Sequence, residues 1–245
     1  MIRKFGLIGY PLSHSFSKKY FTEKFQRENI SGCLYDLYEI DSIEKLPVIL
    51  SQHPELVGLN VTLPYKKQVI PFLNKLDASA EKAGAVNVIK IEGKNLTGYN
   101  SDYYGFLTTL KKLLNGSKPD ALVLGSGGAA SAVKACLKDL GIAYITVSRN
   151  ADENSVSYEN LKEPIFFNSY KLIINTSPVG MYPKESEAPE IPYQKLDSSF
   201  FLYDLVYNPL ETEFMKRGKE KGASVMGGLE MLHLQAEKAW EIWNH

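Results

Sequence analysis

The stretch from residue 121 to residue 140, ALVLGSGGAASAVKACLKDL, limits the possible folds more than any other part of the chain. Its apolar run ALVL is typical of a buried strand, and the glycine-rich turn that follows opens an amphipathic helical pattern. Gly125, Gly127 and Ala130 fit the pattern G-x-G-x-x-[GA]. Gly125 would allow a tight turn, Gly127 would let the backbone approach a pyrophosphate, and the helix N-terminus would offer N–H groups to phosphate. The stretch predicts a dinucleotide-binding unit, and the alternative is a glycine-rich turn without a ligand.

The end of the next predicted strand, AYITVSR, indicates which dinucleotide would bind. An acidic residue there would accept a hydrogen bond from the ribose 2′-hydroxyl of NAD. The chain instead has Ser148 and Arg149, and an arginine can pair with the 2′-phosphate of NADP and stack on its adenine. We therefore expect NADP, unless Arg149 is only a surface charge. Asp152 and Glu153 follow without a second base, so the preference for NADP over NAD is expected to be modest.

Short apolar runs alternate with helical patterns along the whole chain, which is typical of an α/β protein. The further predicted strands are FGLIG, LYDLYEI, LVGLNV, AVNVIKI, KLIINTS and SSFFLYDLVY, with a hairpin turn at residues 92–95. Helices are predicted over residues 16–28, 103–114, 211–221 and 229–243, and loops over residues 151–163 and 184–192. The turn cluster NGSKP separates two parts of the chain that differ in their pattern of predicted strands and helices. We therefore predict two α/β domains, the first ending near Asp102 and the second near Gly228.

Length, charge and cysteine content exclude several classes of protein. A chain of 245 residues suffices for one large domain or two small ones. Basic and acidic residues both number 28, and this balance argues against a nucleic-acid-binding protein. With only two cysteines and no CxxC pair, we expect neither a disulfide framework nor a zinc cluster, and the reducing cytoplasm is the expected location.

The N-terminal segment MIRKFGLIGYPL superficially resembles a signal peptide. Its apolar run is interrupted by Gly6, Gly9 and Pro11, and it is therefore interpreted as a first strand. No apolar run in the sequence is long enough to cross a bilayer, so we expect no membrane partner.

Seven stretches occur in the order found in shikimate dehydrogenases, and the chain resembles that family over nearly its full length. They are GYPLSHSFS (9–17), NVTLPYK (60–66), GAVN (84–87), GYNSDYYG (98–105), GSGGAA (125–130), DLVYNP (204–209) and GGLEMLHLQA (227–236). The resemblance implies the reversible, NADP-linked reduction of 3-dehydroshikimate to shikimate in chorismate and aromatic amino-acid biosynthesis. It also implies an N-terminal α/β domain for substrate binding and catalysis, residues 1–102 plus 229–245, and a Rossmann-type NADP-binding domain, residues 103–228. A cleft is expected between the domains, in a monomer or homodimer.

The resemblance also implies a role for individual residues, with Lys66 as the catalytic lysine and Asp102 as its partner. Hydride addition to a carbonyl builds negative charge on oxygen, which a nearby ammonium stabilises and protonates. The expected substrate-binding residues are Ser15, Ser17, Asn60, Thr62, Asn87, Tyr207 and Gln235. The expected cofactor-binding residues are Gly125, Ser126, Gly127, Gly128, Ala129, Ser148, Arg149, Leu205 and Gly228. No metal is expected, because no group of His, Cys and Asp residues has metal-ligand spacing.

The residues taken one by one leave other interpretations open. Ser15 and Ser17 match the family's carboxylate-binding pair, but such serines also form turns or cap helices. Polar residues at the ends of predicted strands should collect at the ligand-binding edge of a sheet, although each could instead form a turn; they are Asn60, Thr62, Asn87 and Asp102. His14 is interpreted as shaping the serine turn.

The remaining candidates have equally simple alternatives. Lys66 in isolation would be a solvated surface charge, which is also how we interpret its neighbour Lys67. Tyr207 could be a buried tyrosine with a satisfied hydroxyl, and Gln235 a residue on a helix surface. His233 is expected to pack or to face solvent rather than to bind metal.

Three rival functions fit part of the sequence. A quinate/shikimate dehydrogenase that tolerates NAD is the nearest, and Arg149 argues against a strong preference for NAD. A two-domain dehydrogenase acting on another small substrate, such as a folate derivative, would not need the two serines. A non-catalytic NADP sensor would need neither the serines nor the pair of Lys66 and Asp102.

Ser101 stands where the family usually has threonine, which keeps the hydroxyl.

Overall fold

The computed structural model describes residues 2–13 and 15–245. The strands over these residues are β1 Arg3–Gly9, β2 Cys33–Glu39, β3 Leu56–Val61, β4 Lys75–Leu76, β5 Val88–Glu92, β6 Asn95–Tyr99, β7 Asp120–Leu124, β8 Tyr144–Val147, β9 Ser155–Val156, β10 Tyr170–Asn175, β11 Phe201–Asp204 and β12 Ser224–Met226. The helices are α1 Ser17–Arg27, α2 Leu46–Gln52, α3 Ala78–Ala83, α4 Ser101–Leu114, α5 Gly128–Leu140, α6 Pro164–Ser169, α7 Glu213–Glu220 and α8 Leu229–Asn244. No helix in these two ranges is long and apolar enough to span a membrane.

The chain divides into two compact units, and each has its own sheet. Unit 1 comprises Met1–Ser101 and Ala236–His245, and unit 2 comprises Asp102–Gln235. Each unit combines one six-stranded sheet with helices. The α/β class predicted from the alternating patterns is therefore confirmed.

The sheet of unit 1 is mixed and has the strand order β2-β1-β3-β5-β6-β4. Strands β2, β1 and β3 are parallel, whereas β5 runs antiparallel to β3 and forms a hairpin with β6. The last five residues of β1 are all buried, as expected for an interior strand that neighbours cover on both sides. The hairpin turn lies where the sequence predicted it, between Glu92 and Asn95.

The sheet of unit 2 is entirely parallel and has the order β12-β11-β10-β7-β8-β9. The order reverses between β7 and β10, which is the topology of a doubly wound Rossmann-type sheet. The apolar run Ala121–Leu124 is fully buried within this sheet. Ligands of such sheets bind beyond the carboxyl ends of the strands at the reversal. The predicted glycine loop follows β7 at that point.

The end of α8 completes the hydrophobic core of unit 1. Trp243 is 3% exposed, and its indole N–H donates to the carbonyl oxygen of Ile89 at 3.0 Å. A Cβ atom at Gly58 would lie 2.3 Å from the indole, so no larger residue fits there. The rings of Phe5 and Phe21 lie 4.9 and 5.4 Å from the Trp243 ring, centroid to centroid. The C-terminal residues therefore belong to the same core as the first strand.

Two sequence expectations about local structure need correction. The sequence predicts a loop over the polar segment 151–163, but the segment contains β9, which pairs with β8 through Thr146 and Val147, and a 3₁₀ turn over Glu159–Lys162. A two-residue edge strand has too few residues to show periodicity. Helix α4 begins at Ser101 rather than at Tyr103, which places Asp102 in its first turn instead of at a strand end.

Candidate active site

Three of the predicted substrate-binding residues lie at one edge of the unit 1 sheet. Asn60 is the penultimate residue of β3 and Thr62 follows the strand, while Asn87 directly precedes β5. Asn60 lies opposite Val88 because β3 and β5 are antiparallel. Asn87 thus lies just before a strand rather than at the end of one. It reaches the expected edge because the amino end of β5 lies beside the carboxyl end of β3.

Hydrogen bonds fix the side-chain amides of Asn60 and Asn87. The Nδ2 group of Asn60 donates to the carbonyl oxygen of Asn87 at 3.2 Å. The side chain of Asn87, 4% exposed, donates through Nδ2 to the Ser101 hydroxyl at 3.1 Å and accepts from the Ser101 backbone N–H at 2.7 Å. The next residue, Asp102, is 3% exposed and lies in the first turn of α4, where a negative charge is favoured by the helix dipole.

A tyrosine that the sequence did not single out extends this network to strand β2. The Tyr35 hydroxyl donates to Asn60 Oδ1 at 2.7 Å. The Tyr35 ring stacks on Phe21 with 4.6 Å between centroids. Burial raises the pKa of Tyr35, so its hydroxyl stays neutral and keeps its proton. The sequence could have indicated Tyr35, because it lies in a predicted strand. A tyrosine buried in a strand needs a hydrogen-bond partner for its hydroxyl.

The serine segment offers an unsatisfied hydroxyl. The backbone N–H of Ser15 donates to the carbonyl oxygen of Leu12 at 3.0 Å, but the Ser15 Oγ atom is buried and has no hydrogen-bond partner among the described residues. Leaving such a group unpaired costs about 1–3 kcal/mol. Over the described residues no side chain caps α1, so the helix-cap interpretation of Ser15 and Ser17 is wrong. His14, which lies between them, is outside the described residues.

Backbone hydrogen bonds hold the turn that carries Lys66. The carbonyl oxygen of Lys66 accepts from the Val86 N–H at 2.7 Å, and the Tyr65 N–H donates to the Thr62 carbonyl oxygen at 2.9 Å. Tyr65 is buried, and its hydroxyl donates to a backbone carbonyl at 2.6 Å. Lys66 is half-buried beside this anchor whereas Lys67 is exposed, so the two neighbouring lysines differ in environment.

The glycine loop of unit 2 has the features that a dinucleotide phosphate needs. Gly125 has a φ of 113°, and a Cβ atom there would lie 2.8 Å from the Thr176 hydroxyl oxygen. That hydroxyl donates to the Leu124 carbonyl oxygen at 2.7 Å, so it ties the ends of β7 and β10 together. Gly127 faces open space, with no described atom within 4 Å of a Cβ built there. No described side chain caps α5, whose first N–H groups can therefore bind an anion.

Two predicted cofactor residues from separate stretches lie against each other in unit 2. A Cβ atom at Gly228 would lie 2.2 Å from the Leu205 carbonyl oxygen, so only glycine fits. The Gly228 N–H donates to the Val206 carbonyl oxygen at 3.0 Å. This close backbone approach fixes the segment from Leu205 to Tyr207 relative to the start of α8.

Asp204 anchors the same segment, Leu205 to Tyr207, through hydrogen bonds to its side chain. It is fully buried and accepts from the Val206 N–H at 3.0 Å, from Asn175 Nδ2 at 3.0 Å and from the Thr212 hydroxyl at 2.6 Å. Burial raises the pKa of Asp204 to about 6, although these hydrogen bonds act in the opposite direction. Tyr207 is half-buried, and burial raises the pKa of its hydroxyl, which stays neutral.

The residues expected to select the cofactor are accessible. Arg149 is exposed just beyond β8, and the hydroxyl oxygen of its neighbour Ser148 accepts from the Asn150 N–H at 3.3 Å. The carboxylate of Asp152 accepts from the Ser155 hydroxyl at 2.7 Å and so is engaged within its own loop. Asp152 is therefore occupied within its loop and is not placed as a free acceptor for a ribose hydroxyl.

Gln235, the last predicted substrate residue, lies half-buried on α8. Helices α4 and α8 approach closely at Gly105, where a Cβ atom would lie 2.8 Å from the Met231 carbonyl oxygen. Gln235 belongs to unit 2, like Asp102 and Tyr207, whereas Lys66 belongs to unit 1.

Comparison with known proteins identifies the family to which the chain belongs. Residues 7–89 match the family model of the shikimate dehydrogenase substrate binding domain. A shikimate dehydrogenase (NADP(+)) of Clostridium beijerinckii is 41% identical over 255 residues, which cover 98% of this chain and 91% of that protein. The chain belongs to the shikimate dehydrogenase family.

Other members of the shikimate dehydrogenase family agree in sequence and in structure. The shikimate dehydrogenase (NADP(+)) of Carboxydothermus hydrogenoformans is 38% identical over 97% of this chain and 90% of that protein. The crystal structure of the shikimate 5-dehydrogenase of Thermus thermophilus in complex with NADP(H) and shikimate has a TM-score of 0.85 and 29% identity. That comparison covers 99% of this chain and 93% of the other.

Proposed function

We propose that this chain catalyses the reversible NADP-linked reduction of 3-dehydroshikimate to shikimate, a step in chorismate and aromatic amino-acid biosynthesis. The observation that carries the proposal is identity of 41% with a shikimate dehydrogenase (NADP(+)) over 98% of the chain. The hydrogen-bonded polar edge of unit 1 supports it, because shikimate carries one carboxylate and three hydroxyls and needs many short polar groups around it.

The serine segment is proposed to bind the substrate carboxylate. A carboxylate oxygen would give the buried Ser15 hydroxyl the acceptor that it lacks among the described residues. Ser17, at the start of α1, would donate to the same carboxylate. Asn60, Thr62 and Asn87 would bind the ring hydroxyls from the sheet edge. Tyr207 and Gln235 are proposed as two further substrate contacts.

Lys66 is proposed as the proton-transfer group and Asp102 as the carboxylate that orients it. When NADPH is bound, its nicotinamide supplies the hydride. The Lys66 ammonium would stabilise the charge that develops on the carbonyl oxygen and donate its proton there. The half-buried position of Lys66 on an anchored turn supports this role, because a fixed charge in a partly desolvated setting needs little reorganisation during the reaction.

The NADP phosphates are proposed to bind at the glycine loop and the start of α5. The positive φ of Gly125, the open space at Gly127 and the uncapped helix N-terminus fit such a group. Ser126, Gly128 and Ala129 would contribute the neighbouring backbone. Ser148 and Arg149 would bind the 2′-phosphate, and Leu205 with Gly228 would contact the rest of the cofactor; these four residues lie in unit 2.

The domain roles and the location follow from the same proposal. Residues 1–102 plus 229–245 are proposed as the substrate-binding and catalytic domain, and residues 103–228 as the NADP-binding domain; the compact units of the structure divide instead before Asp102 and before Ala236. Cys33 and Cys136 are free thiols, which fits a cytoplasmic enzyme.

NADPH formation measured by absorbance tests the proposal directly. Purified enzyme is supplied with shikimate or quinate, each with NADP or NAD. We expect the highest kcat/KM with shikimate and NADP. Higher kcat/KM with quinate and NAD would favour the quinate/shikimate rival, and no turnover of either acid would refute the proposed function.

A further inference from the structure

We propose that Tyr35 is a positioning residue that sets which hydrogen-bonding atom Asn60 presents to the substrate. The inference rests on the proposed function, since Asn60 is a proposed substrate contact. Tyr35 itself is 3% exposed and lies on β2. It would therefore act on the substrate only through Asn60.

Tyr35 acts on the amide of Asn60. The Tyr35 hydroxyl donates to Asn60 Oδ1 at 2.7 Å, while Asn60 Nδ2 donates to the Asn87 carbonyl oxygen at 3.2 Å. If the amide were flipped, Oδ1 would face the Asn87 carbonyl and two acceptors would oppose each other. Tyr35 and Asn87 therefore define one orientation together, in which the second Nδ2 proton is available to a substrate hydroxyl.

The variant Tyr35→Phe removes the hydroxyl and keeps the ring that stacks on Phe21. Asn60 loses a donor. We expect the KM of shikimate to rise by about 2- to 10-fold, the range for the loss of one hydrogen bond. We expect kcat to change less than about 2-fold and the KM of NADP to stay the same, because the charge that develops in the transition state is not at these residues.

The chain offers a matched control on the same strand. Tyr38 is also buried, at 8% exposure, but its hydroxyl has no hydrogen-bond partner among the described residues. Tyr38→Phe should therefore leave both KM values unchanged. A double-mutant cycle of Tyr35→Phe with Asn60→Ala should give a combined effect smaller than the product of the two single effects, since Tyr35 acts through Asn60.

Calorimetric titration of shikimate into enzyme saturated with NADPH gives a readout that needs no turnover, because both compounds are reduced. The Kd of shikimate should rise in Tyr35→Phe by the same factor as its KM. An unchanged Kd, or a parallel loss of kcat, NADP affinity and melting temperature, would overturn the role of Tyr35. If wild-type enzyme turns over shikimate and Tyr35→Phe is normal, only this inference fails; an inactive wild type would refute the proposed function as well.

Discussion

Replacing Asp204 with asparagine should change how the free energy of unfolding depends on pH. Burial raises the pKa of Asp204 from its ordinary value of 3.8 to about 6, against the opposing effect of hydrogen bonds from Thr212, Val206 and Asn175. In the window between these two values the folded state binds a proton that the unfolded state has released. Asp204 therefore lowers the stability of the wild type as the pH rises through this window.

The size of the effect follows from the two pKa values. The gap between 3.8 and about 6 corresponds to about 3 kcal/mol, at 1.36 kcal/mol per pKa unit. About 2 kcal/mol of this falls between pH 4 and pH 6. An asparagine can keep the local bonds, because its Oδ1 can accept from Asn175 and Val206 while its Nδ2 donates to Thr212. The Asp204→Asn variant should thus gain about 2 kcal/mol relative to the wild type over that interval.

Urea unfolding followed by circular dichroism at a series of pH values measures this difference. Asp77→Asn serves as a control of opposite sign. Burial opposes the ionisation of Asp77, but hydrogen bonds from Ser79 and Ala78 outweigh it and lower its pKa. Asp77 therefore stabilises the protein above its unfolded pKa and loses that contribution as the pH falls. An Asp204→Asn difference that is flat, or that follows the trend of Asp77→Asn, would refute the reasoning.

Three further predictions concern the proposed site, and steady-state kinetics tests each of them. Arg149→Ala should raise the KM of NADP about 10- to 100-fold, as for loss of a charge-assisted contact, and that of NAD far less; equal effects would remove the case for 2′-phosphate recognition. Ser15→Ala combined with Ser17→Ala should raise the KM of shikimate and leave that of NADP nearly unchanged, and an unaltered shikimate KM would make the segment structural. Lys66→Ala should lower kcat by roughly 10²- to 10⁴-fold with little change in KM, whereas Lys67→Ala should do neither. A near-normal kcat in Lys66→Ala would mean that Lys66 is a solvated surface charge and not the proton-transfer group.

The fold was predictable where the signal is local in sequence. The apolar run before Gly125 and the helical pattern after it predicted β7, the loop and α5, and all three are present. Helix α8 was predicted from residue 229 to residue 243 and ends one residue later. The two-residue strands β4 and β9 could not be found in this way, because they exist only through pairing with neighbours.

The candidate site was less predictable, because its geometry depends on tertiary contacts. Asn87 was placed at a strand end, but it lies before β5, and only the antiparallel pairing with β3 brings it to Asn60. Nothing in the sequence distinguishes Tyr35 from its neighbours in the strand, and only the folded chain brings its hydroxyl to Asn60. A sequence shows that a buried hydroxyl needs a partner but not which residue provides it.

The contribution of α8 to the core of unit 1 determines when that unit can be completed on the ribosome. Domains generally fold as units in the order of synthesis, the N-terminal one first. Here the rings of Phe5 and Phe21 cannot pack against Trp243 until it has been translated, which happens after the whole of Asp102–Gln235. The unit that begins second is therefore the first to be synthesised in full, and unit 1 can complete its aromatic core only after Trp243 has been translated.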